Sequence, residues 1–152
     1  MPHKDRPIDD LDRALLHTLE QEARLSLSAL AERIGLSKSA VQTRLRRLQD
    51  EGVILGFHAR LNPQRLARSH VAFVQVKLHR TTAQALSEFN RAVAAITSVH
   101  QCHMTAADYD YLLQVRSADI GTFRQVLGEE ISALPHVAST STHVSMESVL
   151  ER

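Results

Sequence analysis

Hydrophobic residues recur at helical intervals over the first 60 residues and at alternate positions after residue 70. Ile8, Leu11, Leu15, Leu16 and Leu19 keep the spacing of one helix face behind two capping candidates, Asp9 and Asp10. Ser26 can cap a second helix whose inner positions are Leu27, Leu30, Ala31 and Ile34. Gly35 stands where a helix end favours a left-handed residue. Ser37 can cap a third helix, in which Val41, Leu45 and Leu48 form one buried stripe and Gly52 ends the run. Val53–Leu61 is β-branched, aromatic and aliphatic around Gly56 and predicts a strand or hairpin. Asn62-Pro63-Gln64-Arg65 breaks that pattern as a linker.

The second half predicts strand, helix, two strands, helix and strand. Val71–Leu78 alternates with period two, Ala72, Val74 and Val76 against Val71, Phe73 and Gln75. Thr82 caps a helix with Leu86, Phe89, Val93 and Ile96 inward. Val99–Thr105 and Tyr109–Val115 read as strands joined by a turn at Ala106–Asp108. Ile120–Leu134 reads as a helix burying Phe123, Val126, Leu127 and Ile131, and Val137–Met146 as the last strand. The order is the split βαβ, ferredoxin-like pattern. The fold class is therefore α+β. Residues 1–60 form a helix-turn-helix (winged-helix-like) domain, 61–69 a linker, and 70–152 a βαββαβ αβ-sandwich.

Composition narrows the class. The chain has 152 residues, 43% hydrophobic and 23% charged, as soluble globular chains do. No apolar run suits a membrane helix, and the first seven residues have no apolar core of the kind a secretory signal carries. One cysteine, Cys102, forms no internal disulfide, which fits a reducing cytoplasm. The net charge of +1 hides a strong asymmetry. Residues 1–32 hold four basic and seven acidic side chains, residues 33–91 eleven and three, and residues 92–152 three and seven. Between Arg33 and Gln49 lie Arg33, Lys38, Arg44, Arg46 and Arg47 with no acid, a local field suited to a polyanion.

The candidate chemistry lies on the third helix. Ala31, Gly35 and Val41 have the spacing of a helix-turn-helix: a small residue at the crossing, a glycine turn and an apolar return contact. With the stripe inward, Ser39, Thr43 and Arg46 point directly away, flanked by Gln42 and Arg47. Such side chains hydrogen-bond base edges and phosphates in a major groove. Ser39, Gln42, Thr43 and Arg46 are assigned to bases, and Lys38 and Arg47 to phosphates of double-stranded DNA. Ser37 joins Lys38 at the helix N-terminus, where backbone N–H groups also favour phosphate.

The chain resembles the leucine-responsive regulatory protein / asparagine-operon regulator (Lrp/AsnC) family of transcription factors over essentially its whole length. The resemblance rests on Leu11-Asp12-Arg13 with Leu15-Leu16, Leu30-Ala31-Glu32-Arg33-Ile34-Gly35-Leu36-Ser37, and Arg44-Leu45-Arg46-Arg47-Leu48. It continues through Gly52-Val53-Ile54, Gly56-Phe57, Leu61-Asn62-Pro63, Cys102-His103, Asp108-Tyr109-Asp110-Tyr111-Leu112-Leu113, Leu134-Pro135 and Met146-Glu147. It implies a homodimer that assembles further, to a tetramer or octamer, and a small effector, usually an amino acid, bound between dimers. The effector loop corresponds to Ala106, Ala107, Asp108, Tyr109 and Asp110. The family usually has glycine at Ala107, and alanine restricts φ and close approach, so altered, weaker or absent effector binding is expected. Asp108 and Asp110 can engage an amino group or cap their own turn. On the last strand Ser139 and Thr140 stand as ligand candidates, while Ser141 and Thr142 read as solvent-facing.

Other signals weigh less. His100, Cys102 and His103 resemble a metal cluster, but His100 and Cys102 face one side of a strand and His103 the other, so no metal site is assigned. Cys102 reads as a buried small hydrophobe. Nine scattered histidines suggest pH-sensitive subunit contacts. No P-loop or nucleotide glycine fingerprint is present, and neither a cofactor nor a catalytic residue is assigned. The alternative reading is a sirohaem-decarboxylase-like enzyme of the same two-domain architecture, against which the basic third helix counts.

Overall fold

The computed structural model describes residues 6–150, which divide into two compact units at Arg60/Leu61. In the first unit α1 spans Asp10–Gln21, α2 Leu27–Ile34 and α3 Lys38–Asp50. The cap predictions hold. Asp9 is the N-cap of α1 and forms a capping box with Asp12. The Ser26 side chain accepts the Ala29 N–H and the Ser37 side chain that of Ala40, each at 3.2 Å. Gly35 takes the left-handed conformation at φ +75° and Gly52 at φ +69°. Leu15, Leu19, Leu30, Ala31, Val41 and Leu48 form the core, with Leu16, Leu25, Ile34, Leu36, Leu45 and Ile54 packed around it. Two positions depart from the pattern: Leu27, expected inward, is exposed at the first residue of α2, and Leu11 is exposed while Asp12, the next residue, is fully buried.

The strand expected over Val53–Leu61 is absent. Apart from the turn that ends α3, this stretch has no regular structure. Its composition suits a strand, but a strand needs a hydrogen-bonding partner, and the regular elements among the described residues of the first unit are all helices. Leu55 and Phe57 consequently stay exposed. In the linker, the Asn62 side chain accepts the backbone N–H groups of Gln64 and Arg65 and starts a turn.

The second unit contains β1 His70–Leu78, α4 Ala83–Val93, β2 Val99–Met104, β3 Tyr111–Ser117, α5 Ile120–Gln125 and β4 Val137–Val144. The sheet is antiparallel in the order β2-β3-β1-β4. Ala72, Val74 and Val76 of β1 are fully buried beside Leu113 and Val115 of β3, under Phe89 and Val93 of α4 and Phe123 of α5. Strand ends shifted by one or two residues, and two of the departures have a local cause. β3 starts at Tyr111 rather than Tyr109, because Tyr109 and Asp110 are held in the turn. The helix expected over Ile120–Leu134 changes to a π-helical turn at Val126–Ile131. The wider turn brings Val126 and Ile131, five residues apart, onto the same buried side.

Candidate DNA-reading helix and effector loop

On α3 the burial follows the predicted stripe. Val41 and Leu48 are fully buried. Ser37, Lys38, Ser39, Gln42, Thr43 and Arg46 are all exposed. The Ser37 and Ser39 hydroxyls lie 3.1 Å apart at the N-terminal end, and the Thr43 hydroxyl donates to the Ser39 carbonyl at 2.9 Å. A continuous polar surface of hydroxyl, amide and guanidinium groups results, with α2 packed behind it.

Arg47 and Arg44 behave differently from Arg46. Both guanidinium groups turn toward the start of α1, and each side chain is only 19% exposed. Arg44 donates to Asp9 Oδ1 at 2.9 Å, to Asp9 Oδ2 at 2.7 Å and to Asp12 Oδ1 at 2.7 Å. Arg47 donates to Asp12 Oδ2 and, at 3.2 Å, to Glu51. Burial pushes the Asp12 carboxyl up. The hydrogen bonds from Arg47, Arg44 and the Asp9 backbone outweigh that and bring it down to about 2. The phosphate role expected for Arg47 is therefore set against an intramolecular one. No local pattern announces it, because Asp12 is 32 and 35 residues away from its partners.

In the second unit the loop candidates gather at one end of the sheet. The Asp110 N–H donates to the Val76 carbonyl at 2.9 Å, and Lys77 Nζ donates to the Asp108 carbonyl at 2.7 Å. The Asp110 carboxylate accepts the Leu78 N–H at 2.7 Å. On the other side of β1, Thr140 pairs with Val76 and Ser139 with Lys77. Loop and last strand thus flank the same three residues of β1. Ala106, Ala107 and Asp108 are exposed, whereas Tyr109, Asp110 and Thr140 are half-buried. Ala107 is not among the described residues with positive φ, so this loop conformation needs no glycine there.

Two discounted signals also find their places. Cys102 pairs with Leu113 and His103 with Leu112, so neighbouring side chains point to opposite faces. Among the described residues no group of His, Cys, Asp and Glu converges on a metal position. Cys102 is exposed rather than buried, because β2 is an edge strand with five of its six residues exposed. It borders a cleft of about 420 Å³ that also touches Asn90 and Val93 of α4 and Tyr111 of β3. No helix among the described residues is long and apolar enough to cross a membrane.

Comparison with known proteins follows the same division. The Lrp/AsnC ligand binding domain matches residues 71–152, and a winged helix-turn-helix DNA-binding domain matches residues 8–54. A proline dehydrogenase transcriptional activator of Rhizobium radiobacter is 53% identical over 98% of this chain and 96% of its own. The leucine-responsive regulatory protein of Escherichia coli K12 is 39% identical over 97% and 89%. The crystal structure of a Neisseria meningitidis transcriptional regulator in complex with L-Met superposes with a TM-score of 0.87, at 26% identity, over 95% and 94% of the two chains. With both of its units matched and named regulators aligned along nearly its whole length, the chain belongs to the Lrp/AsnC family of DNA-binding transcriptional regulators.

Proposed function

We propose that the protein is a cytoplasmic regulator of amino-acid metabolism genes that reads double-stranded DNA with α3. Ser39, Gln42, Thr43 and Arg46 contact base edges, and Ser37 and Lys38 hold a phosphate at the helix N-terminus. The observation that carries this reading is the exposure of all six on one helix whose opposite stripe is buried. The protein works as a homodimer that assembles further. The stretch with exposed Leu55 and Phe57 supports this, since apolar side chains left in solvent suit burial against a second copy of the same segment. Paired copies put two recognition helices on half-sites about one helical turn apart.

The effector is an amino acid held by the Ala106–Asp110 loop with Ser139 and Thr140. Exposed Asp108 suits an ammonium group, and the half-buried Thr140 hydroxyl suits a carboxylate. The L-Met bound to the Neisseria meningitidis regulator supports the class of ligand. The Rhizobium radiobacter relative, named for activation of proline dehydrogenase, supports amino-acid catabolism as the target and proline as the first ligand to try. Relatives matched over 96% and 89% of their length are named as a transcriptional activator and a regulatory protein, which favours this reading over the enzyme alternative.

The test is an anisotropy titration of the full chain on the region upstream of its own gene and its neighbour, repeated with each of the twenty amino acids and paired with calorimetry and sizing. Binding that one amino acid strengthens, weakens or re-sizes is expected. No heat and no change in assembly with any of them overturns the effector reading.

A further inference from the structure

Five cations fall between Arg33 and Gln49, yet three are occupied within the domain. Arg33 pairs with Glu22 at 2.7 Å on the surface. Arg44 and Arg47 converge on Asp12, which is fully buried and accepts one guanidinium on each carboxylate oxygen. Distance from the reading face does not explain why these two are withheld. Ser39, Ala40, Thr43, Arg44 and Arg47 line one shallow groove together with Arg6. The two guanidinium groups therefore border the same groove as hydroxyls of the outer face, and their pairing with Asp12 and Asp9 turns them inward.

We infer that Asp12 is a specificity-determining residue that withholds Arg44 and Arg47 from the DNA backbone. The inference rests on the reading of α3 as the DNA-facing helix. Each cation placed on a phosphate adds affinity for any sequence, because it releases counterions without consulting a base. Two added phosphate contacts raise non-specific binding and leave base discrimination unchanged. By holding Arg47 and, together with Asp9, Arg44, Asp12 leaves Lys38 and Arg46 as the exposed cations of α3. A larger share of the affinity then comes from Ser39, Gln42 and Thr43. The capping box makes the hold directional. Asp9 and Asp12 are fixed by each other's backbone N–H groups, at 2.8 and 3.1 Å, so the carboxylates stay aimed at α3. Asp12 is thus a positioning residue: it acts through the two arginines and needs no contact with DNA.

The experiment is the salt dependence of binding of the full chain to a 30-base-pair duplex of random sequence. Asp12→Asn keeps the cap but loses the charge. It is expected to steepen the slope of log K against log salt by about 0.9 for each arginine released, and to tighten binding at low salt. Arg44→Gln and Arg47→Gln are expected to leave the wild-type slope unchanged and to reverse the steepening in the Asp12→Asn background. A merely structural role predicts no steeper slope in any variant. The inference is overturned if folded Asp12→Asn keeps the wild-type slope, or if Arg47→Gln alone flattens it by about 0.9. If Asp12→Asn does not fold, Asp12→Ser, which loses the same charge with a smaller polar side chain, takes its place, and an unchanged slope in it overturns the inference. Lys38→Gln, which removes the phosphate contact at the start of α3, separates the two ideas. It flattens the slope if α3 faces DNA, and its failure to do so overturns the reading of the helix rather than the role of Asp12.

Discussion

Arg44 donates to Asp12 at 2.7 Å, from the middle of α3 into the first turn of α1. The pair joins two helices that the chain separates by 32 residues, and it does so at a fully buried carboxylate. Removing that carboxylate leaves partly buried Arg44 with Asp9 alone and Arg47 with Glu51 alone. Asp12→Ala is expected to destabilise the first unit by about 3 kcal/mol, measured by urea denaturation. A loss below the effect of an ordinary surface substitution contradicts the pairing.

The same carboxylate sets an acid limit. Its folded pKa, about 2, lies below the ordinary value of 3.8. A depressed folded pKa contributes stability that is complete above the unfolded value and lost as pH falls toward the folded one. The first unit is therefore expected to lose stability between about pH 4 and pH 2, and Asp12→Asn to flatten that dependence. Denaturant midpoints across this range read the difference directly.

Gly35 sits at φ +75°, and a Cβ built there meets nothing within 4 Å. The cost of Gly35→Ala is then conformational, about 1–2 kcal/mol, without a clash. Gly35→Asn is expected to recover part of it, since asparagine tolerates the left-handed region. Equal stability of the alanine and asparagine variants rejects this account.

Asp110 and Asp108 separate structure from ligand binding within one loop. Asp110→Ala leaves the Leu78 N–H without its acceptor and is expected to cost about 1–3 kcal/mol. Asp108→Ala is expected to stay within about 0.5 kcal/mol in stability while abolishing the heat of amino-acid binding. Calorimetry and thermal denaturation on the two variants distinguish these effects.

Ala107 supplies a further check on the loop. Because its backbone does not use positive φ, Ala107→Gly is expected to leave the binding heat unchanged. A clear gain in affinity with glycine means that the bound loop takes a conformation different from this one.

The helices, their caps and both glycine turns were legible along the chain because each depends on neighbours within a few residues. The outer face of α3 was legible for the same reason: once Val41, Leu45 and Leu48 point inward, geometry assigns Ser39, Thr43 and Arg46 outward. Periodicity failed where a long-range partner overrode it. Leu11 belongs to the apolar pattern, yet Asp12 is the residue that is buried, because Arg44 and Arg47 neutralise it there. Val53–Leu61 has strand composition, but no partner strand stands among the described residues of the first unit. Cys102 lies on a strand as expected, and its place at the sheet edge leaves it exposed.

The sequence by itself determined the two-part α+β architecture and which side of α3 meets solvent, since local periodicity and capping carry that information. Only the tertiary structure decided how the basic run is divided. A count of charges treats five cations alike, whereas folding carries Asp9 and Asp12 across to α3 and leaves Lys38 and Arg46 exposed. The physical reason is that an ion pair depends on distance in space, and the 32 to 35 residues between these partners conceal it.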